Sequence, residues 1–179
     1  MKCSVKELIL FGVLAAILTI SQVSLSFIPN VETVSLLIIL YSLIYEKKSM
    51  YIVVIFVMMM GLIYGFGTWW FGYLIIWPSL SMITYLIRNK IKERYLLLSI
   101  YSGIFGLIFG ALYAIPVFVF TGINSGIGYW ISGIPYDIVH GTGNYFIMLF
   151  LGERIFKLLN RLNKNIFILE NSKNNIKYL

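Results

Sequence analysis

The chain has 179 residues, of which 60% are hydrophobic, 17% aromatic and only 12% charged, with a formal net charge of +7. A water-soluble domain carries roughly a quarter of its residues as charges, so a mean hydropathy of +0.89 excludes water as the main solvent. The single cysteine, Cys3, has no partner within the chain, which excludes a disulfide scaffold.

Charged residues divide the chain into three long blocks. Leu8 to Tyr45 is interrupted only by Glu32, Ser49 to Ile87 contains no charge, and Tyr95 to Gly152 contains only Asp137 and the titratable His140. A helix crosses ~30 Å of hydrocarbon with ~20 residues, so each block has room for two crossings. Breaks fall near the middle of each: Pro29-Asn30, Gly65-Phe66-Gly67, and the run from Gly122 to Gly128. The predicted helices are Leu8 to Ile28, Val31 to Tyr45, Met50 to Tyr64, Thr68 to Ile87, Tyr95 to Thr121 and Ser132 to Gly152. The second and third are short for a full span, and Lys47 and Lys48 would snorkel at their junction. The fold class expected is an all-α integral membrane protein, a six-helix transmembrane bundle. The first apolar run is too long for the ~7 to 15 residues of a signal-peptide core and is expected to remain as a helix.

The positions of the charges set orientation. Lys2 and Lys6 precede the first helix, Lys47 and Lys48 join the second to the third, and Arg88, Lys90, Lys92 and Arg94 join the fourth to the fifth. Arg154, Lys157, Arg161, Lys164, Lys173 and Lys177 follow the sixth, which accounts for all 14 basic residues. Basic loops stay on the cytoplasmic side, so both termini are expected to be cytoplasmic and the three breaks outward. The positive charge then reports topology, and no nucleic-acid partner is expected. Residues 1–152 form the expected transmembrane domain. Residues 153–179 form a basic cytoplasmic tail, amphipathic from Glu153 to Leu162 against the inner membrane surface and disordered beyond Leu169.

Several chemistries are poorly served. No Gly-rich segment ends in the Gly-Lys-Ser/Thr that cradles nucleotide phosphates, so the chain carries no ATPase motif of its own. His140 is the only histidine and Cys3 lies at the opposite face, so no metal site is expected. Ser132 and His140 would lie ~12 Å apart on one helix, too far for direct proton transfer. No catalytic residue is assigned.

Polar groups gather on the outward half. Asp137, His140, Gly141 and Asn144 fall at i, i+3, i+4 and i+7 of one helix, hence on one face, with Pro135 placed in the first turn. A carboxylate inside a membrane helix faces a polar cavity or a partner, so this face reads as a ligand pocket or as an internal Asp137–His140 pair. Glu32, at the outer end of the second helix, reads equally as a ligand group or as a solvated carboxylate in a positive first turn. Trp69, Trp70 and Tyr73 follow the second break, and Tyr129 and Trp130 the third. Taken singly they are interfacial anchors; together they could line an outer cavity. Small residues recur at helical spacing as Gly12 with Ala16 and Ala15 with Thr19 on helix one, and as Gly106, Gly110 and Ala114 on helix five.

On these features the chain resembles the substrate-binding S components of energy-coupling factor (ECF) vitamin transporters. The resemblance extends from helix one to about Gly152. It rests on the short hydrophobic helices, the small-residue pattern of helix one, and the segments Ile28-Pro29-Asn30-Val31-Glu32 and Gly133-Ile134-Pro135-Tyr136-Asp137. It implies capture of a vitamin or precursor at an outward pocket, then docking through helix one to a transmembrane T component driven by two ABC-type ATPases. It also implies toppling in the bilayer to release substrate inward, in a bacterial plasma membrane. The family's nickel and cobalt branch carries an N-terminal metal-binding extension with histidine, and Lys2-Cys3-Ser4 lacks it. The expected substrate-binding residues are Asn30, Glu32, Trp69, Trp70, Tyr73, Trp130, Asp137, His140 and Asn144. Gly12, Ala15, Ala16 and Thr19 are the expected partner-docking residues. With every Lys and Arg on the other face, a neutral or cationic heterocycle is the expected substrate class. The competing readings are a stand-alone solute carrier or channel, and an intramembrane enzyme centred on Asp137 and His140.

Overall fold

The computed structural model describes residues 3–176, with side chains as far as residue 164. The regular structure among the described residues is entirely helical, with no strand: α1 (Val5–Ser24), α2 (Val34–Tyr45), a 3₁₀ turn (Glu46–Lys48), α3 (Ser49–Tyr64), α4 (Thr68–Ile91), α5 (Tyr95–Thr121) and α6 (Ile123–Ile176). Helix α1 opens with a capping box: Ser4 N–H donates to Glu7 Oε2 at 2.9 Å, and Glu7 N–H to Ser4 Oγ at 3.3 Å.

Four helical spans are long and apolar enough to cross a membrane by length and composition: Val5–Ser24, Val34–Tyr64, Thr68–Ile91 and Tyr95–Thr121. They make this a multi-pass, all-helical membrane protein, but six individually qualifying transmembrane helices are not what the chain forms. Helices α2 and α3 have 12 and 16 residues and reach membrane length only when counted together through the 3₁₀ turn. Helix α6 does not qualify; Asp137, His140, Thr142 and Asn144 interrupt its apolar stretch.

The other differences from expectation are local. Helix α1 stops at Ser24 and α2 starts at Val34, so residues 25–33 form a longer connection than Pro29-Asn30 alone. The Gly122–Gly128 run is not a loop. Only Gly122 (φ 92°) separates α5 from α6, which begins at Ile123 and puts Pro135 three turns inside the helix. Helix α6 also runs past Gly152 without a break. The tail beyond Leu169, expected to be disordered, lies outside the residues whose side chains are described, and Lys2 lies outside the described residues altogether.

Helix α2 is the centre of the bundle, buried on all sides from Val34 to Leu43 and touching each of the other helices. Phe11, Leu18, Phe56, Trp77, Leu80 and Leu98 pack around it. The outer faces are as apolar as the core: Ile9, Val13 and Ile20 on α1, Leu62 on α3, Leu86 on α4 and Phe150 on α6 are all exposed. In hydrocarbon such faces gain nothing by burial against each other, so close backbone approach and interhelical hydrogen bonds hold the helices together. Helices α5 and α6 approach closely, so that a Cβ on Gly106 would lie 2.7 Å from Gly141 Cα.

Toward one end of the bundle a buried hydroxyl network joins three helices. Ser81 Oγ on α4 lies 3.0 Å from Ser42 Oγ on α2 and 2.8 Å from Ser49 Oγ on α3, and Ser49 Oγ donates to Glu46 O at 2.6 Å. Ion pairs close this end: Lys48 Nζ with Glu7 Oε1 at 2.5 Å and Arg88 Nε with Glu46 Oε1 at 3.5 Å. The 25–33 connection, the Gly65–Gly67 turn and Gly122 lie at the opposite end, where the polar face of α6 opens.

Candidate functional site

Three adjoining cavities form a cleft at the opposite end from the ion pairs. The first, about 420 Å³, lies between α5 and the N-terminal part of α6 and is walled by Phe109, Gly110, Tyr113, Tyr129, Tyr136 and Asp137, with Asn30 at its edge. The second, about 260 Å³, lies beneath the 25–33 connection and reaches Gln22, Glu32, Tyr73, Trp77 and His140. The third, about 360 Å³, lies between Gln22, Met60, Tyr64, Trp69 and Tyr73. Asn30, Phe109 and Tyr113 are shared by the first two, and Gln22, Ser26 and Tyr73 by the last two.

The 25–33 connection and the start of α2 are pinned to α6 by polar groups that sequence places far apart. His140 Nε2 meets Glu32 Oε1 at 3.1 Å, and Asn144 Nδ2 donates to Ser35 Oγ at 3.2 Å. The Ser21 and Thr33 hydroxyls meet across the base of the connection. Asn30 adopts a left-handed backbone (φ 58°) at its turn, a conformation that asparagine accepts more readily than most residues. Glu32 Oε2 accepts the Ser35 N–H at 2.8 Å, which satisfies one of the open donors of the α2 N-terminus. Burial alone would push the Glu32 carboxyl up; the hydrogen bond and charge of His140 and the bonds from Ser35 outweigh it and hold the carboxyl below its ordinary value. The paired groups are therefore Glu32 and His140, in place of the Asp137–His140 pair considered from sequence.

Asp137 sits in the α5–α6 seam, one turn before His140 on α6. Its Oδ1 accepts the Gly110 N–H at 2.9 Å. Gly110 is required there because a Cβ would lie 2.4 Å from Asp137 Oδ2. Helix α5 thus lends the carboxylate a backbone donor only where it has no side chain.

Four buried polar atoms on the cleft walls have no protein partner: Gln22 Oε1, Trp77 Nε1, Asp137 Oδ2 and His140 Nδ1. Buried polar groups are almost always satisfied, so four unpartnered ones on residues that line adjoining cavities mark the part of the molecule shaped to meet something else. Two acceptors, one indole donor and an imidazole nitrogen can recognise a small molecule by its hydrogen-bonding edge, and the surrounding rings can cover its apolar faces.

Of the residues expected from sequence to bind substrate, Asn30, Glu32, Tyr73, Asp137 and His140 come together on this cleft, and Trp69 lines its third cavity. Asn144 is buried one turn below His140 and bonds Ser35. Trp70 turns away and donates its Nε1–H to Val57 O at 2.9 Å. Trp130 is 43% exposed and lines none of the three cavities. The four small residues of α1 divide: Ala15 and Thr19 are buried inside the chain, with Thr19 Oγ1 bonded to Ala15 O, whereas Ala16 is exposed and Gly12 has nothing within 4 Å of an added Cβ. Sequence reasoning missed Gln22, Trp77, Phe109 and Tyr113. Gln22 had a signal, as the lone amide in the first predicted helix, Leu8 to Ile28; the aromatics, set in apolar runs, had none.

No family model, curated protein or solved structure matches this chain.

Proposed function

We propose that this chain is the substrate-capturing membrane subunit of an importer of the energy-coupling factor type, binding a vitamin-like small molecule in the outer cleft. The observation that carries the reading is the set of four unpartnered buried polar atoms, Gln22 Oε1, Trp77 Nε1, Asp137 Oδ2 and His140 Nδ1, on adjoining cavities at one end of the bundle. The basic residues near the other end favour a cytoplasmic location for it, in a bacterial plasma membrane with both termini inside. With no phosphate-cradling motif in the sequence, energy would come from partners: a transmembrane T component and two ABC-type ATPases. Gly12 and Ala16, on the outer face of α1, offer that component a close approach.

Mass spectrometry of small molecules that copurify with the detergent-solubilised protein tests the reading, with Asp137→Asn alongside. A specific solute retained by the wild type and depleted in the variant is the expected result. Uptake into liposomes holding this chain without any ATPase would instead establish a stand-alone carrier.

A further inference from the structure

We propose that the outer cleft selects a cationic ligand carrying an N–H donor, whose positive group seats against Asp137 in the cavity between α5 and α6. This rests on the capture reading above and narrows its substrate from neutral or cationic to cationic.

The two carboxylates of the cleft are in different states. Both oxygens of Glu32 are engaged, Oε1 with His140 and Oε2 with the Ser35 N–H. Asp137 is 7% exposed, has one oxygen on the Gly110 N–H, and leaves Oδ2 with no protein partner beside a cavity of about 420 Å³. No Lys or Arg lines that cavity. A buried carboxylate with no Lys or Arg beside it is costly, and a cation with an N–H seated in the cavity that Asp137 lines offsets that charge. An anion would meet Asp137 with only His140, already paired with Glu32, to offset it, and a neutral ligand would leave the carboxylate without a counter-charge in the cavity.

The walls suit the same ligand. Phe109, Tyr113, Tyr129 and Tyr136 line the same cavity as Asp137, and aromatic faces attract cations most strongly when water is excluded. The Tyr113 and Tyr129 rings stack on each other at 6.2 Å and 20°. A flat ring held between them would need about 7 Å at ordinary carbon contact distances. The charged end of the ligand, rather than its ring, is therefore what fits this wall, and any ring extends toward Asn30 and the adjoining cavity.

Benzamidinium, benzamide and benzoate share a ring and differ in charge, so they serve as probes against the full chain in lipid nanodiscs, read by saturation-transfer NMR. Benzamidinium is expected to bind roughly tenfold or more tighter than either of the others, the range of a hydrogen bond to a charged group. Asp137→Asn keeps an acceptor for the Gly110 N–H and should bring benzamidinium to within about threefold of benzamide, the charge-assisted part being lost. As a check independent of that variant's folding, Tyr129→Leu should weaken benzamidinium by about two- to fivefold and leave benzamide unchanged, as loss of a partly exposed cation–π contact would. Benzoate or benzamide binding as tightly as benzamidinium overturns the proposal, and so does a cation preference that survives Asp137→Asn. Failure of the broader reading looks different: a copurifying anionic solute would overturn the cation assignment while leaving capture intact. Absence of any solute, with the benzamidinium preference present and lost in Asp137→Asn, would remove capture and leave the local chemistry standing.

Discussion

His140 on α6 and Glu32 in the α1–α2 connection, 108 residues apart in sequence, meet at 3.1 Å with both side chains buried. The pair fastens the roof of the cleft to its back wall.

Breaking a buried pair by removing one partner typically costs about 3–5 kcal/mol, and Glu32 also caps α2 through Ser35. Glu32→Ala should therefore lower thermal stability in nanodiscs by an amount in that range, and Glu32→Gln, which keeps an acceptor, by less. The carboxyl is held below its ordinary value of 4.5. Its ionisation thus contributes stability that is full above about pH 4.5 and lost as pH falls through the lowered folded-state value. Melting profiles of wild type and Glu32→Gln should converge on acidification. Equal pH dependence in both would show that the pair does not hold the connection.

Gly106→Ala should separate α5 from α6, because the new Cβ would lie 2.7 Å from the Gly141 Cα, a backbone atom with little room to yield. Overpacking of this kind costs about 1–3 kcal/mol. Gly128→Ala, also within a helix but with nothing within 4 Å, should instead stabilise by up to about 1 kcal/mol. Melting temperatures that move in opposite directions are the expected readout.

Ser81→Ala removes the hydroxyl on which Ser42 and Ser49 converge. Interhelical hydrogen bonds in membranes average about 0.6 kcal/mol each, so the loss should be about 1–2 kcal/mol. Ser132, exposed and donating its hydroxyl to Tyr129 O on its own helix, should tolerate Ala within about 0.5 kcal/mol. Reversible unfolding of the two variants side by side would show whether the network contributes as a unit.

Glu46 has φ 51° and ψ −130°, a backbone conformation suited to glycine. Its ion pair with Arg88, at 3.5 Å and with the Glu46 side chain 57% exposed, is of the kind that contributes at most about 1 kcal/mol. Glu46→Gly should come out neutral to about 1 kcal/mol more stable, and Glu46→Ala slightly less stable than wild type. A melting temperature lowered by Gly as much as by Ala would show that Glu46 is not strained.

The helical blocks and the polar face of α6 were legible in sequence because charge is excluded from hydrocarbon: the spacing of Glu32, Asp137 and the basic clusters outlines the spans. The start of α6 was not. Gly122 to Gly128 has the composition of a loop, yet Gly126 serves packing: a Cβ there would lie 2.3 Å from the Phe118 ring of α5, so the bare backbone lets the first turns of α6 lie along its neighbour. The Glu32–His140 and Ser35–Asn144 bonds were equally hidden, since periodicity along one helix carries no information about a partner more than 100 residues away. Trp70 shows the opposite error. It has the composition of a binding residue, and its indole N–H is used within the fold by Val57 O.

The one-residue turn at Gly122 bears on how the cleft comes into being. Helices α5 and α6 are consecutive and lie along each other, so their seam, with Asp137 on Gly110, closes a short loop. Such contacts have a small entropic cost and form early. The Glu32–His140 and Ser35–Asn144 contacts must instead bring together segments from opposite ends of the chain. The cleft therefore has two walls of different age, a carboxylate seam set early and a roof that arrives last. In refolding followed by hydrogen exchange, α5 and α6 should become protected before the 25–33 connection, and the reverse order would contradict this sequence of events. A ligand held by both walls would then recognise only the finished molecule, so capture itself reports that folding is complete.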